Sequence, residues 1–186
     1  KFSKNLNIKK YIVADNSFKT NIDNIFAIGD VNGKSMLAHS ASRQAENVIE
    51  YIKTGKHPVF NVNMIPSVIY GSPEIAEIGM TEECIQKKGI AYRKSFFPVS
   101  ALGKSHTDDK IEGFIKILAT DNEIIGAHII SEEASALIQQ IAIAMQNKIT
   151  PKELSEVIFA HPTYSEGVLE SIFNLYDMAI NIPKQN

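Results

Sequence analysis

Residues 111–131 read IEGFIKILATDNEIIGAHIIS, and this stretch decides the fold. Two apolar, β-branched runs, Ile111 to Ala119 and Ile124 to Ile130, flank the polar triplet Asp121-Asn122-Glu123. Strand-like runs across a short turn-forming segment predict a hairpin, and a hairpin means an antiparallel pair. On its N-terminal side, Val68-Ile69-Tyr70 and Ile75 to Met80 read as strands around the turn Gly71-Ser72-Pro73-Glu74. Thr81 is placed to cap a short helix ending at Gly89, and Tyr92 to Val99 is a further strand. On the C-terminal side, Ser131 is expected to cap an amphipathic helix. Ala134, Leu137, Ile138, Ile141, Ala142 and Met145 fall on one stripe of that helix. Thr150-Pro151-Lys152-Glu153 has the form of a capping box with proline at the first helical position. A last helix is expected over 165–180. Its apolar residues (Val168, Leu169, Ile172, Phe173, Leu175, Tyr176, Ala179, Ile180) cover more than one face. Such a helix is buried in a core or against another subunit. Strands followed by helices give an α+β class, an antiparallel sheet packed with helices.

The upstream part reads differently. Tyr11-Ile12-Val13 is a short β-prone run. Ile25-Phe26-Ala27-Ile28 is apolar without alternation and stops at Gly29-Asp30. A run of that kind suits a strand buried on both faces of a parallel sheet. Leu37, Ala41, Ala45, Val48, Ile49 and Ile52 then follow helical spacing up to Gly55 and Pro58. Residues 56–66 carry two prolines and no helical period, which predicts a crossover. The expected division is 1–62 and 63–186.

Composition bounds the function classes. The chain has 186 residues, 44% hydrophobic and 22% charged, enough for a real core and too apolar for a disordered tail. Nineteen basic and 21 acidic residues leave a net charge of -2, so no general attraction to nucleic acid follows. No apolar run approaches the ~20 residues that span a bilayer. The polar stretch Lys1 to Lys10 is not expected to be a secretory leader. Cys84 is the only cysteine, so an internal disulfide is excluded.

Three segments can carry chemistry. Gly29-Asp30 after an apolar run places a carboxylate where open α/β sheets bind ligands, although the same pair also makes an ordinary turn. Met36-Leu37-Ala38-His39 opens a helix, whose first N–H groups have no intrahelical partners; it fits equally a plain helix start capped by Ser35. Ala160-His161-Pro162-Thr163-Tyr164-Ser165-Glu166 pairs a histidine suited to proton exchange with a carboxylate that can hold its second ring nitrogen. The same residues fit a helix-loop-helix turn in which His161 merely packs. His57, His106 and His128 show no metal-ligand spacing, so no metal site is expected. Cys84 reads as a bystander and not as a nucleophile.

Taken in order, Ile25-Phe26-Ala27-Ile28-Gly29-Asp30, Met36-Leu37-Ala38-His39, Ile65-Pro66-Ser67-Val68-Ile69-Tyr70 and His161-Pro162-Thr163…Glu166 resemble the C-terminal part of flavin-dependent pyridine nucleotide-disulfide oxidoreductases. Gly113-Phe114-Ile115-Lys116-Ile117 and Gly126-Ala127-His128-Ile129-Ile130 are similar to the same family's interface domain. Within the family the dihydrolipoamide dehydrogenase branch is nearest. The resemblance implies the end of a Rossmann-like FAD-binding domain over 1–62 and an interface, or dimerisation, domain over 63–186. It implies that Asp30, beside Gly29, bonds the ribityl chain of FAD, and that Met36, Leu37, Ala38 and His39 lie along the flavin ring. It implies that His161 is the proton acceptor for the dithiol, that Glu166 orients it, and that the pair serves the other subunit of a homodimer. NAD as electron acceptor and lipoyl domains of 2-oxo-acid dehydrogenase or glycine-cleavage complexes as partners follow from the same resemblance; a cytoplasmic setting is expected, or an organelle matrix if an upstream part carried a transit peptide. Tyr164 stands where the family commonly has leucine, which implies a slightly more polar surface there. The chain lacks a GxGxxG motif and a CxxxxC pair. With its start at Lys1, it is therefore expected to be a fragment, inactive and without FAD by itself. The alternatives are a standalone, non-catalytic interaction domain of the same fold, or a reductase of the glutathione or coenzyme A disulfide type.

Overall fold

The computed structural model describes residues 6, 7 and 9–183. The polar start at Lys1 to Lys10 and the tail Pro183 to Asn186 lie partly outside the described residues. The chain divides into two compact units, Lys1–Val62 and Asn63–Asn186.

The second unit is a five-stranded, wholly antiparallel sheet in the order β1-β2-β5-β4-β3. Its strands are β1 (Ser67–Ile69), β2 (Glu74–Gly79), β3 (Arg93–Pro98), β4 (Phe114–Ala119) and β5 (Ile124–Ser131). The hairpin read from residues 111–131 is the β4–β5 pair. Its register sets Ile115 opposite Ile129 and Ile117 opposite Ala127, so these four residues share one buried face. The ladder enters β4 through Gly113, whose φ of 113° is open to glycine and whose added Cβ would lie 2.0 Å from the Ile130 carbonyl oxygen.

Four helical segments follow from the same patterning. Thr81 caps α2 (Glu82–Lys87) by accepting from the Cys84 N–H. The apolar stripe read at 134–145 is α4 (Ala134–Gln146), which packs on β2 and β5 with Leu137, Ile138 and Ile141 in the core. The capping box is present: Thr150 and Glu153 satisfy each other's backbone N–H groups at the start of α5 (Pro151–Ser155). Helix α6 (Glu166–Asn174) packs on β3 and β4, burying Val168 and Ile172, with Leu175 just beyond its end. The opposite sheet face is covered in part by α2, whose Ile85 sits over Leu118 and Ile125.

Two expectations fail in this unit. Ser131 does not cap a helix: it ends β5, fully buried, and α4 begins three residues later after Glu133. The ladder partner Glu74 holds Ser131 in the sheet, and a residue in a ladder cannot take the capping geometry. The last helix stops at Asn174 instead of running to residue 180. Glu170, buried on α6, accepts the N–H groups of Ile180 and Asn181 and so holds the following chain in a folded-back strap. A short helix, α3 (Gly103–Thr107), is a further element that the sequence reading did not name; Ser105 fixes it through the carbonyls of Val99 and Leu102.

The first unit is organised around α1 (Ala38–Thr54), closed by Gly55 in the left-handed region as read from sequence. Ile25–Ile28 is not a buried strand. Among the described residues its one bridge joins Lys19 to Phe26, and Ile28 is 37% exposed. A run becomes a two-faced strand only with ladders on both sides, and among the described residues no strand lies beside this one. Tyr11–Val13 likewise forms no strand. The small core here is Phe18, Ala27 and Val48, with Phe18 meeting Phe60 edge-on.

Candidate active-site turn and the Gly29–Asp30 loop

The turn between α5 and α6 brings His161 and Glu166 together. His161 Nδ1 lies 2.8 Å from Glu166 Oε1. An ionised carboxylate only accepts, so Nδ1–H is the donor and the lone pair sits on Nε2. The Glu166 side chain is largely covered, whereas His161 is 75% exposed, so Nε2 faces outward.

Neighbouring groups hold this arrangement. Glu166 Oε2 accepts the Thr163 N–H at 2.8 Å, so both carboxylate oxygens are engaged within one turn. Thr163 Oγ1 donates to the Ala160 carbonyl. From α4, Gln140 Nε2 donates to Ser165 Oγ at 2.7 Å and ties the start of α6 to the domain core. The His161–Pro162 peptide is cis. Sequence reading found His161 and Glu166 but not Gln140, which lies 25 residues away from its partner.

Beside the turn runs an apolar groove lined by Ile143, Ile149, Val157, Ile158 and Phe159. Ile158 is 97% exposed and Ile143 more than half so. Tyr164 corrects an expectation. Its ring is buried in the core and does not make the surface more polar. Burial foremost, with the nearby Asp108 carboxylate, pushes its hydroxyl up to about 12, so the phenol stays neutral.

In the first unit, Gly29 turns the chain at a φ of 70° into a 3-10 turn (Gly29–Asn32), leaving Asp30 exposed. Met36 and His39 are exposed at the start of α1, Ala38 is its first residue, and Leu37 precedes it without a side-chain cap. One side chain that sequence reading missed joins these segments: Gln44 of α1 accepts the Gly29 N–H at 2.9 Å and the Asn32 Nδ2 donor at 2.7 Å. The signal was available, because Gln44 falls on the same helical stripe as Leu37, Ala41 and Val48, and a polar residue on a buried stripe has a polar partner.

The other histidines serve local structure. His57 bonds Ser17 and stacks near Tyr51, and His106 bonds the Ser100 carbonyl. His128 is held below its ordinary value, by burial first and then by Lys116. Cys84 is free and half-buried. Among the described residues no group of three or more His, Cys, Asp or Glu side chains could hold a metal ion, and no helix is long and apolar enough to cross a membrane.

Comparison with known proteins sets these two sites in context. Residues 65–172 match the dimerisation domain of pyridine nucleotide-disulphide oxidoreductases. The chain belongs to this family. Residues 2–45 match a second model of the family, that of the pyridine nucleotide-disulphide oxidoreductases themselves, which are flavin-dependent. Among curated relatives, a mitochondrial dihydrolipoyl dehydrogenase of Pisum sativum is 36% identical over 173 residues, covering 92% of this chain and 34% of that protein. A dihydrolipoyl dehydrogenase of Buchnera aphidicola is 41% identical over 165 residues (88% and 34%), and a leghemoglobin reductase of Glycine max 38% over 168 residues (89% and 32%). The chain thus spans about a third of the length of the curated relatives it matches. Among solved structures, LpdA from Mycobacterium tuberculosis superposes with a TM-score of 0.83 at 27% identity, over 91% of this chain and 38% of that one. The flavoprotein disulfide reductase RclA of Escherichia coli shares the fold at 22% identity, with a TM-score of 0.82, over 90% and 39%.

Proposed function

We propose that this chain is the dimerisation portion of a dihydrolipoamide dehydrogenase, a homodimer in which each copy completes the other's active site. The whole enzyme would convert dihydrolipoamide and NAD⁺ into lipoamide, NADH and a proton, through FAD and a redox disulfide. The exposed His161–Glu166 pair carries the proposal. A dithiol reacts as its thiolate, so a base must accept its proton. His161 Nε2 is the free acceptor, and Glu166 stabilises the imidazolium that results. Because His161 faces outward beside an apolar groove, a second copy covering that groove would meet it.

The first unit fits FAD. The exposed Asp30 carboxylate, beside Gly29, can accept hydrogen bonds from ribityl hydroxyls. The α1 start, with no side-chain cap, puts Met36, Leu37, Ala38 and His39 where backbone N–H groups can meet a flavin carbonyl. When bound, FAD supplies the two-electron relay between dithiol and nicotinamide. The lipoyl domains of a 2-oxo-acid dehydrogenase or glycine-cleavage complex would deliver the substrate, in the cytoplasm.

The test assays the full-length protein for NADH formation from dihydrolipoamide, beside NADH or NADPH oxidation by glutathione disulfide and coenzyme A disulfide. Turnover of dihydrolipoamide is expected to dominate. Dominant turnover of either disulfide would reassign the substrate, and turnover of none would leave a non-catalytic interaction domain.

A further inference from the structure

The first unit holds a polar cluster that the proposed chemistry does not use. Gln44 is fully buried, and Asn32 and Ser40 are nearly so. Gln44 Oε1 receives two donors, the Gly29 N–H and Asn32 Nδ2, while Gln44 Nε2 donates to Ser40 Oγ at 3.2 Å. Asn32 Nδ2 also donates to the Ala27 carbonyl, and Asn32 Oδ1 accepts the Lys34 N–H. An amide carbonyl has two lone pairs, and both are occupied. Gly29 and α1 are also in contact by shape: a Cβ on Gly29 would lie 3.3 Å from the Ala41 Cβ.

This cluster has a directional consequence. Gly29 needs its positive φ to swing Asp30 out of the buried layer into solvent. The bond from the Gly29 N–H to Gln44 fixes that swing relative to α1. Met36 to His39 lead into the same helix, two turns before Gln44. A single side chain therefore ties the Gly29–Asp30 turn to the Met36–His39 segment.

We propose that Gln44 is a positioning residue for FAD: it holds the ribityl-binding and ring-facing segments in their bound spacing before the cofactor arrives. The inference rests on the FAD reading of these segments. Preorganisation of this kind appears as affinity, because a loop already in place loses less entropy on binding. Leucine at 44 leaves the Gly29 N–H and one Asn32 donor without an acceptor in a dry layer. Glutamate keeps an acceptor for both, and the Ser40 hydroxyl can rotate to donate to it.

The experiment titrates FAD into the apo form of the full-length protein and its Gln44→Leu, Gln44→Glu and Ser40→Ala variants. Flavin fluorescence gives Kd, and the thermal midpoint of each apo form is recorded. Gln44→Leu is expected to weaken FAD about tenfold or more, Gln44→Glu to stay within about threefold of wild type, and Ser40→Ala to weaken it two- to fourfold. Where Gln44→Leu does not fold, the other two variants decide. Unchanged affinity in Gln44→Leu or in Ser40→Ala overturns the proposal. Equal weakening in Gln44→Leu and Gln44→Glu also overturns it, because a merely structural role gives no rescue. If the wild type itself takes up no FAD, the flavin reading falls with this inference, and all four proteins share that result.

Discussion

The two units contain similar apolar runs that end in different structures. Ile115-Lys116-Ile117-Leu118-Ala119 is a strand with partners on both sides, and every apolar residue in it is fully buried. Ile25-Phe26-Ala27-Ile28 makes one bridge among the described residues, and Ile28 lies at the surface. Composition does not separate them. Neighbours do: β4 is flanked by β3 and β5, whereas Ile25–Ile28 pairs on one side alone, with the segment Phe18–Thr20, among the described residues. A buried strand is a property of a sheet and not of its own sequence.

The largest expected effect breaks or upholds this contrast directly. Ile117→Ala should destabilise the second unit by about 2–5 kcal/mol, because the site is closed on all sides. Ile28→Ala should cost under about 1 kcal/mol. Denaturant melts, read by hydrogen exchange within each unit, measure both; equal costs would break the comparison.

A second contrast concerns exposed apolar residues. Ile158, on the groove beside His161, is nearly wholly exposed, as a residue destined for a second copy would be. Ile158→Asp should weaken self-association of the full-length protein by about 2 kcal/mol, roughly thirtyfold in Kd by sedimentation. Ile52→Asp, at an exposed position of α1, should leave association unchanged.

Smaller effects sharpen the account of the second unit. Thr150→Ala removes half of the capping box and should lower its stability by about 1 kcal/mol, seen as a lower thermal midpoint. His128 gives the smallest effect, and its sign follows from its surroundings. Burial and Lys116 on β4 hold it below its ordinary 6.5, against Glu77 on β2 and Glu82 on α2. The unfolded chain then binds the proton more readily, so the contribution is present in full above 6.5 and is lost as pH falls below it. His128→Gln should flatten the stability of this unit between about pH 7 and 5.5 relative to wild type, measured by thermal melts.

The sheet, its hairpins, α4 and the capping box were legible because their signals are local: alternation, turn residues and cap spacing. Ser131 was misplaced because its ladder partner, Glu74, lies 57 residues upstream, and the end of α6 because Glu170 binds amides ten residues on. At the candidate site, the residues alone left His161 and Glu166 open between a proton-exchanging pair and a packed turn, and the resemblance to the family singled them out. Gln140 and Gln44 were not found, since a long-range partner leaves only one sign in sequence, a polar residue on a buried or half-buried helical face.

The central claim is that the second unit presents a histidine base to a dithiol. Stopped-flow reduction of the full-length flavoprotein carrying His161→Gln tests it most directly, with dihydrolipoamide and NADH as separate reductants. The account predicts that reduction by the dithiol slows about a hundredfold or more while reduction by NADH stays within about threefold of wild type. An unchanged dithiol rate, or equal slowing with both reductants, would contradict it.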